Sequence, residues 1–292
     1  MIVQIHPTAS WQIGGALALM WGKPTDWRTA PLESEGDQKK APEVIKLLEQ
    51  ITSTYKINRI LSPNVSRFNS VFLSDGSQYP WKLTLHGTAC KLHRGLYGDG
   101  FEVHPSDVGI IAPADCAVVV ATTPNGRVFM LHAGRDSLVD RQKIMSGIES
   151  KQFESIIFAA WHEMCRVSKE NALQSKWFVL PSISHGDHFQ HNWEDSVRGD
   201  ANKLMVSYLT KRYDNAVKGN LESGMINIPA IIASQLVQYC GVNPENIFVD
   251  TRCTYTERDA CNQFVWHSNA RAVRTGGDPR ARNIVAVINT GH

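Results

Sequence analysis

A cysteine and a histidine, Cys116 and His132, stand where one short hairpin would bring them together. The stretch APADCAVVVATTPNGRVFMLHAG, residues 112–134, holds two apolar, β-rich runs at 116–122 and 127–131. Between them Thr123-Pro124-Asn125-Gly126 carries a strong turn signal. Antiparallel pairing across this turn sets 122 opposite 127 and puts Cys116 near position 133. A slip of one or two residues still leaves Cys116 and His132 at the same end of the hairpin. Two chemistries use such a pair. Zinc takes thiolate and imidazole ligands at about 2.0–2.3 Å and, in a catalytic site, keeps a position open beside three protein ligands. Alternatively, the histidine is the base that activates a cysteine nucleophile. A third reading is a small buried core cysteine beside a histidine that caps a strand.

The zinc reading needs a third donor. His86, followed by Gly87, closes an earlier apolar run in KLTLHGTAC; His93 and His104 are weaker candidates in a polar stretch. Asp115, beside Cys116, reads either as the acceptor of a hydrogen bond from a ligand histidine or as an exposed turn residue. His185, His188 and His191 in SISHGDHFQH share a loop-like segment and read less well as a second metal site. WHEMC (161–165) lacks both the two-histidine zincin motif and the Pro-Cys-x-x-Cys of nucleobase deaminases. No Walker loop and no dinucleotide-binding glycine fingerprint is present.

The elements around these residues alternate in type. Val44, Leu47, Leu48 and Ile51 have the spacing of one apolar helix face and predict a helix over 43–54. Further helices are expected at 137–149, 153–170, 195–211 and 229–239. Strands are expected at 69–74, 81–86, 176–183, 247–251 and 283–289, with loops at 24–42 and 91–106. No linker, repeat or low-complexity segment divides the chain. The reading is one α/β domain over 1–292, a mixed β-sheet core covered by helices.

Composition narrows the function class. The net charge is +2 with no long basic run, so neither nucleic acid nor an anionic membrane is indicated as a partner. No apolar stretch approaches the ~20 residues of a membrane-spanning helix, and the N-terminus lacks the basic leader of a signal peptide. Six cysteines in 292 residues are too sparse for a disulfide scaffold, which fits a cytoplasmic protein with reduced thiols.

From about residue 80 to 290 the chain resembles the laccase-domain proteins, the multicopper polyphenol oxidoreductase-like family; residues 1–80 match poorly. The resemblance rests on short motifs in order: His86-Gly87, Ala114-Asp115-Cys116, His132-Ala133-Gly134, LPSI (180–183), and the block from Asp250 with Cys253-Thr254 and Phe264. Members of that family look like zinc-dependent purine nucleoside phosphorylases with adenosine deaminase activity. The resemblance therefore implies a zinc triad of His86, Cys116 and His132, with Cys116, His132 and Asp115 in the catalytic group. It also implies a purine nucleoside and phosphate as partners, in a monomer or homodimer. Arg135, Arg271 and Arg282 are the candidates for holding phosphate, which suits bidentate guanidinium contacts. Copper, as in a polyphenol oxidase, is the alternative metal; no His-x-His pair occurs here to build a multicopper centre. A cysteine hydrolase using Cys116 and His132, and an inactive purine-binding homologue, are the other readings. The chain departs from the family's His-Ala-Gly-Trp-Arg-Gly, continuing with Arg135-Asp136-Ser137, and FVWHSNAR replaces an aromatic-Ser-aromatic-Arg run.

Overall fold

The run Ala-Val-Val-Val-Ala-Thr at 117–122 is apolar or β-branched throughout, so it makes a stable strand only with both faces covered. The fold supplies that cover by stacking two sheets between layers of helices. The computed structural model describes the chain apart from residues 1–3, 30–31, 33–40, 66–69, 75–76, 86–88, 141–143, 145, 147–154, 184–198, 218–225 and 292.

Thirteen strands are described: β1 (Ala9–Ile13), β2 (Ala16–Trp21), β3 (Arg59–Leu61), β4 (Phe72–Leu73), β5 (Trp81–Thr84), β6 (Lys91–Arg94), β7 (Gly100–Val103), β8 (Asp107–Ile111), β9 (Ala117–Thr122), β10 (Val128–Ala133), β11 (Lys176–Val179), β12 (Ile247–Val249) and β13 (Ile284–Asn289). The described helices are α1 (Pro42–Tyr55), α2 (Arg135–Leu138), α3 (Ile156–Val167), α4 (Lys169–Leu173), α5 (Gly199–Arg212), α6 (Ile228–Gln238) and α7 (Asn269–Thr275). The first sheet runs β1-β2-β13-β8-β3-β6-β5 and the second β12-β11-β9-β10-β7-β4. Both are mixed: β3 is parallel to β6 and β8, β4 to β7, and β11 to β12, while the other pairs are antiparallel.

Side chains alternate between two cores along each central strand, as the period of a strand requires. Val118 and Val120 enter the core between the sheets, with Met20, Phe101, Met130 and Val285. Val119 and Ala121 point the other way, into a core that includes Ile156, Ile157 and Met164 of α3 and Ile231 and Ile232 of α6. On the outer face of the first sheet, Val44, Leu47, Leu48 and Ile51 of α1 share a core with Ile60, Leu92, Ile284 and Ile288. Among the described residues no helix is long and apolar enough to cross a membrane.

The mixed α/β class read from the sequence is the class observed, with the strands shared between two sheets. Residues 91–106, expected as a loop, contain β6 and β7. Their runs are short, and Gly100 reads as a loop residue; in the fold it leaves the room that a Cβ would take from Leu131 Cδ2, 2.7 Å away. Strands β1, β2, β3 and β8 and helix α7 had no sequence expectation of their own. Of the helix expected at 137–149, only its start coincides with α2; most of the rest lies outside the described residues.

Candidate functional site

The β9–β10 hairpin closes one residue away from the expected register. Val128 faces Thr122 and Ala133 faces Ala117, so Cys116 comes level with Gly134. Gly126 ends the turn at φ 82°, in the left-handed region that glycine enters without strain. His132 and Gly134 lie on one face of β10, and Cys116 is the diagonal neighbour of His132 across the pair. The Cys116 sulfur lies beside the His132 ring, both within reach of one point next to Gly134. A Cβ on Gly134 would fall 3.2 Å from that sulfur and 2.9 Å from His132 Cε1. The glycine therefore leaves a notch beside both groups.

The carboxylate that orients His132 is Asp99, immediately before β7. Nδ1 of His132 donates to Asp99 Oδ1 at 3.2 Å, and the His132 backbone N–H donates to the Asp99 carbonyl at 2.6 Å. This leaves Nε2 of the ring for Cys116. Burial acts to lower the His132 pKa, but the Cys116 sulfur and Asp99 outweigh it and push it up to about 9. Asp99 was missed from sequence because Gly-Asp-Gly at 98–100 reads as a turn. The signal that would have found it is the pairing of β7 with β10, which only the assembled sheet contains.

Asp115, expected beside a ligand histidine, has a different role. Its Oδ1 accepts from Thr254 Oγ1 at 2.9 Å and its Oδ2 from the Ala270 backbone N–H at 2.7 Å. The carboxylate thus ties the loop after β12 and the first turn of α7 to the mouth of the hairpin.

The three candidate arginines divide sharply. Arg271 is buried; Nη1 donates to the carbonyls of Thr254 and Tyr255 and Nη2 to that of Trp266, while its guanidinium stacks 3.7 Å from the Phe264 ring. Arg135 turns Nε and Nη2 towards its neighbour Asp136. Arg282 directs only Nη1 to the described protein, at the Pro279 and Ala281 carbonyls. It precedes β13 at the level of the Cys116 approach, since the next residue, Asn283, bonds Pro113 and Ala114. Burial lowers the Arg282 pKa, and the Cys116 sulfur is the first of the nearby groups that oppose the shift.

His86 lies outside the described residues, as do His185, His188 and His191. Among the described residues on either side of His86, the Leu85 backbone N–H donates to the Cys90 carbonyl, beside the start of β6. That start is level with the start of β8, whereas Cys116 follows the end of β8. His93, on β6, meets the Tyr79 ring edge-on, and His104 lies beside Glu102. Among the described residues no group of three His, Cys, Asp or Glu side chains is arranged to hold a metal. The donors that the described site offers are Cys116 and His132. They suit zinc in kind, a thiolate and an imidazole whose far nitrogen is fixed by a carboxylate.

The family model described as multi-copper polyphenol oxidoreductase laccase matches residues 93–276. The chain belongs to this laccase family. The matched segment of the laccase-family chain holds Asp99, Cys116, His132, Arg135 and Arg271, and excludes His86 and Arg282. Solved structures of similar fold include YfiH of Bacillus licheniformis, 14% identical, covering 93% of this chain and 92% of that one with a TM-score of 0.57. YlmD of Geobacillus stearothermophilus is 14% identical, covers 95% and 93%, and has a TM-score of 0.60. Protein NMB0706 of Neisseria meningitidis is 16% identical, covers 94% of each chain, and has a TM-score of 0.56. No curated protein matches significantly in sequence. The fold shared with these structures thus extends over nearly the whole chain, including the N-terminal part that the family model does not match.

Proposed function

We propose that the protein is a zinc-dependent enzyme of purine nucleosides, catalysing phosphorolysis, adenosine deamination or both. One observation carries this reading: Cys116 and His132 meet beside the Gly134 notch, with Asp99 on the far side of the imidazole. Cys116 Sγ and His132 Nε2 would hold the metal. When bound, zinc lowers the pKa of a coordinated water towards about 7. Asp99 accepts from Nδ1 and fixes the ring plane, so that Nε2 is the nitrogen turned towards Cys116 and, on losing its proton, would be the donor to the metal. Gly134 keeps the space in front of the pair free of side chain. Asp115 holds the C-terminal segment, and with it Arg271 and Phe264, against the hairpin. The copper reading suggested by the family's description draws less support from the donors present, because a multicopper centre needs several closely spaced imidazoles.

The same three side chains favour a second reading, a cysteine nucleophile with His132 as base and Asp99 as its orienting group. Zinc content separates the two. Protein purified without added metal should carry one zinc per chain, lost in Cys116→Ala and in His132→Ala. In the same series, His86→Ala decides whether His86 is a third donor. Absence of metal from the native protein would overturn the zinc reading. Rapid alkylation of Cys116 by iodoacetamide would then support the nucleophile. Metal-loaded protein is next assayed on adenosine and inosine, with and without phosphate.

A further inference from the structure

The three candidate arginines differ in what their guanidinium groups have left to offer. A tetrahedral oxyanion is best held side-on, by Nε and one Nη donating in parallel. In Arg135 this edge faces Asp136, and in Arg271 both Nη atoms are taken by backbone carbonyls. Arg282 is different. Its Nη1 is anchored by two carbonyls, at 2.9 and 3.0 Å, and no described residue accepts from its Nε or Nη2. The anchored nitrogen fixes the plane of the group while the opposite edge stays available.

The backbone of Arg282 is held as firmly. Its N–H donates to Asp26 Oδ1 at 3.0 Å, and its carbonyl accepts from the Trp27 N–H at 3.1 Å. Asp26 is itself braced by Arg28. Asn283 then pins the chain to Pro113 and Ala114, the latter two residues before Cys116. Residues 26–28 and 282 all lie outside the segment that the family model matches. They nevertheless build one flank of the approach to Cys116.

We propose that Arg282 is the anion subsite of this protein, taking inorganic phosphate on its Nε–Nη2 edge beside Cys116. This rests on the phosphorolytic reading above and names the residue that would supply its second substrate. Residues 26 and 27 of the N-terminal loop position Arg282. Its backbone is therefore held by residues that lie outside the segment matched by the family model.

The test is titration of the metal-loaded, full-length protein with inorganic phosphate by calorimetry. Arg282→Gln should weaken phosphate at least about tenfold, and Arg282→Lys, which keeps the charge but loses the two-pronged edge, should weaken it less. Arg135→Gln should leave phosphate affinity unchanged. Zinc content and melting temperature without phosphate should equal those of the native protein in all three variants, which separates loss of the subsite from loss of the fold. Native protein that binds phosphate, with Arg282→Gln binding it equally well, would overturn the assignment and leave the phosphorolytic reading standing. Native protein that binds no phosphate would overturn both. Adenosine monophosphate offers the same oxygens on a nucleoside. Tighter binding of it than of phosphate, lost in Arg282→Gln, would overturn the free-phosphate assignment in favour of a substrate's own phosphoryl group.

Discussion

Asp99 exposes none of its side chain, and a carboxylate in such a place is tolerated only when it is paired. It commits Oδ1 to His132 and its backbone carbonyl to the same residue, so two contacts hold the imidazole in one orientation. Asp99→Asn keeps the size of the group but removes its charge and allows the amide to present a donor. Zinc affinity should fall by about 10–100-fold, as loss of a carboxylate behind a ligand histidine commonly does. Competition with a chromogenic chelator measures this; an affinity equal to the native one would show that Asp99 does not orient the ligand.

The segment 22–28 and the block 264–283 are bound together by contacts remote in sequence. His267 Nε2 donates to the Thr25 carbonyl at 2.8 Å, and the His267 backbone N–H donates to Asn283 Oδ1 at 2.8 Å. Burial holds the His267 pKa below the ordinary histidine value, Lys23 and Arg271 add to that, and the Thr25 carbonyl and Asp26 oppose it. A histidine whose folded pKa is depressed binds its proton more readily in the unfolded chain. Its stabilising contribution is then complete above about pH 6.5 and is lost as pH falls below that. Urea midpoints measured from pH 7 to pH 5 should decline more steeply for the native protein than for His267→Gln. Equal slopes would remove His267 from the acid response.

The two sheets come close together where β8 crosses β7 and β10. At Gly109 a Cβ would fall 2.8 Å from Phe101 Cε2 and 2.9 Å from both Met130 Sδ and Val103 Cγ2. Three side chains of the shared core would have to yield at once, in an interior packed too tightly for an added methyl to be neutral. Gly109→Ala should cost about 1–3 kcal/mol of stability, the range for overpacking a filled core. Chemical denaturation reads this directly, and a variant as stable as the native protein would mean that the inter-sheet core has slack. Because Cys116 and His132 sit at the end of the strands that line this core, the same variant tests how rigidly the stacked sheets hold the site.

What could be read from the chain alone was local. A turn at 123–126 and a two-residue period place Cys116 and His132 at one end of a hairpin, and the register differs from the expectation by a single residue. The α1 face follows from the spacing of Val44, Leu47, Leu48 and Ile51, because helix periodicity needs no distant partner. The remainder depended on contacts between residues far apart in sequence. Asp99 meets His132 across 33 positions only because β7 pairs with β10. Asp115, next to Cys116 in sequence, is drawn away across 139 positions to Thr254 and 155 to Ala270. Arg271 and Arg282 look alike as letters, and carbonyls delivered by the fold occupy one while leaving an edge of the other open. Residue type and spacing set which chemistry is available; long-range pairing sets which groups remain free to perform it.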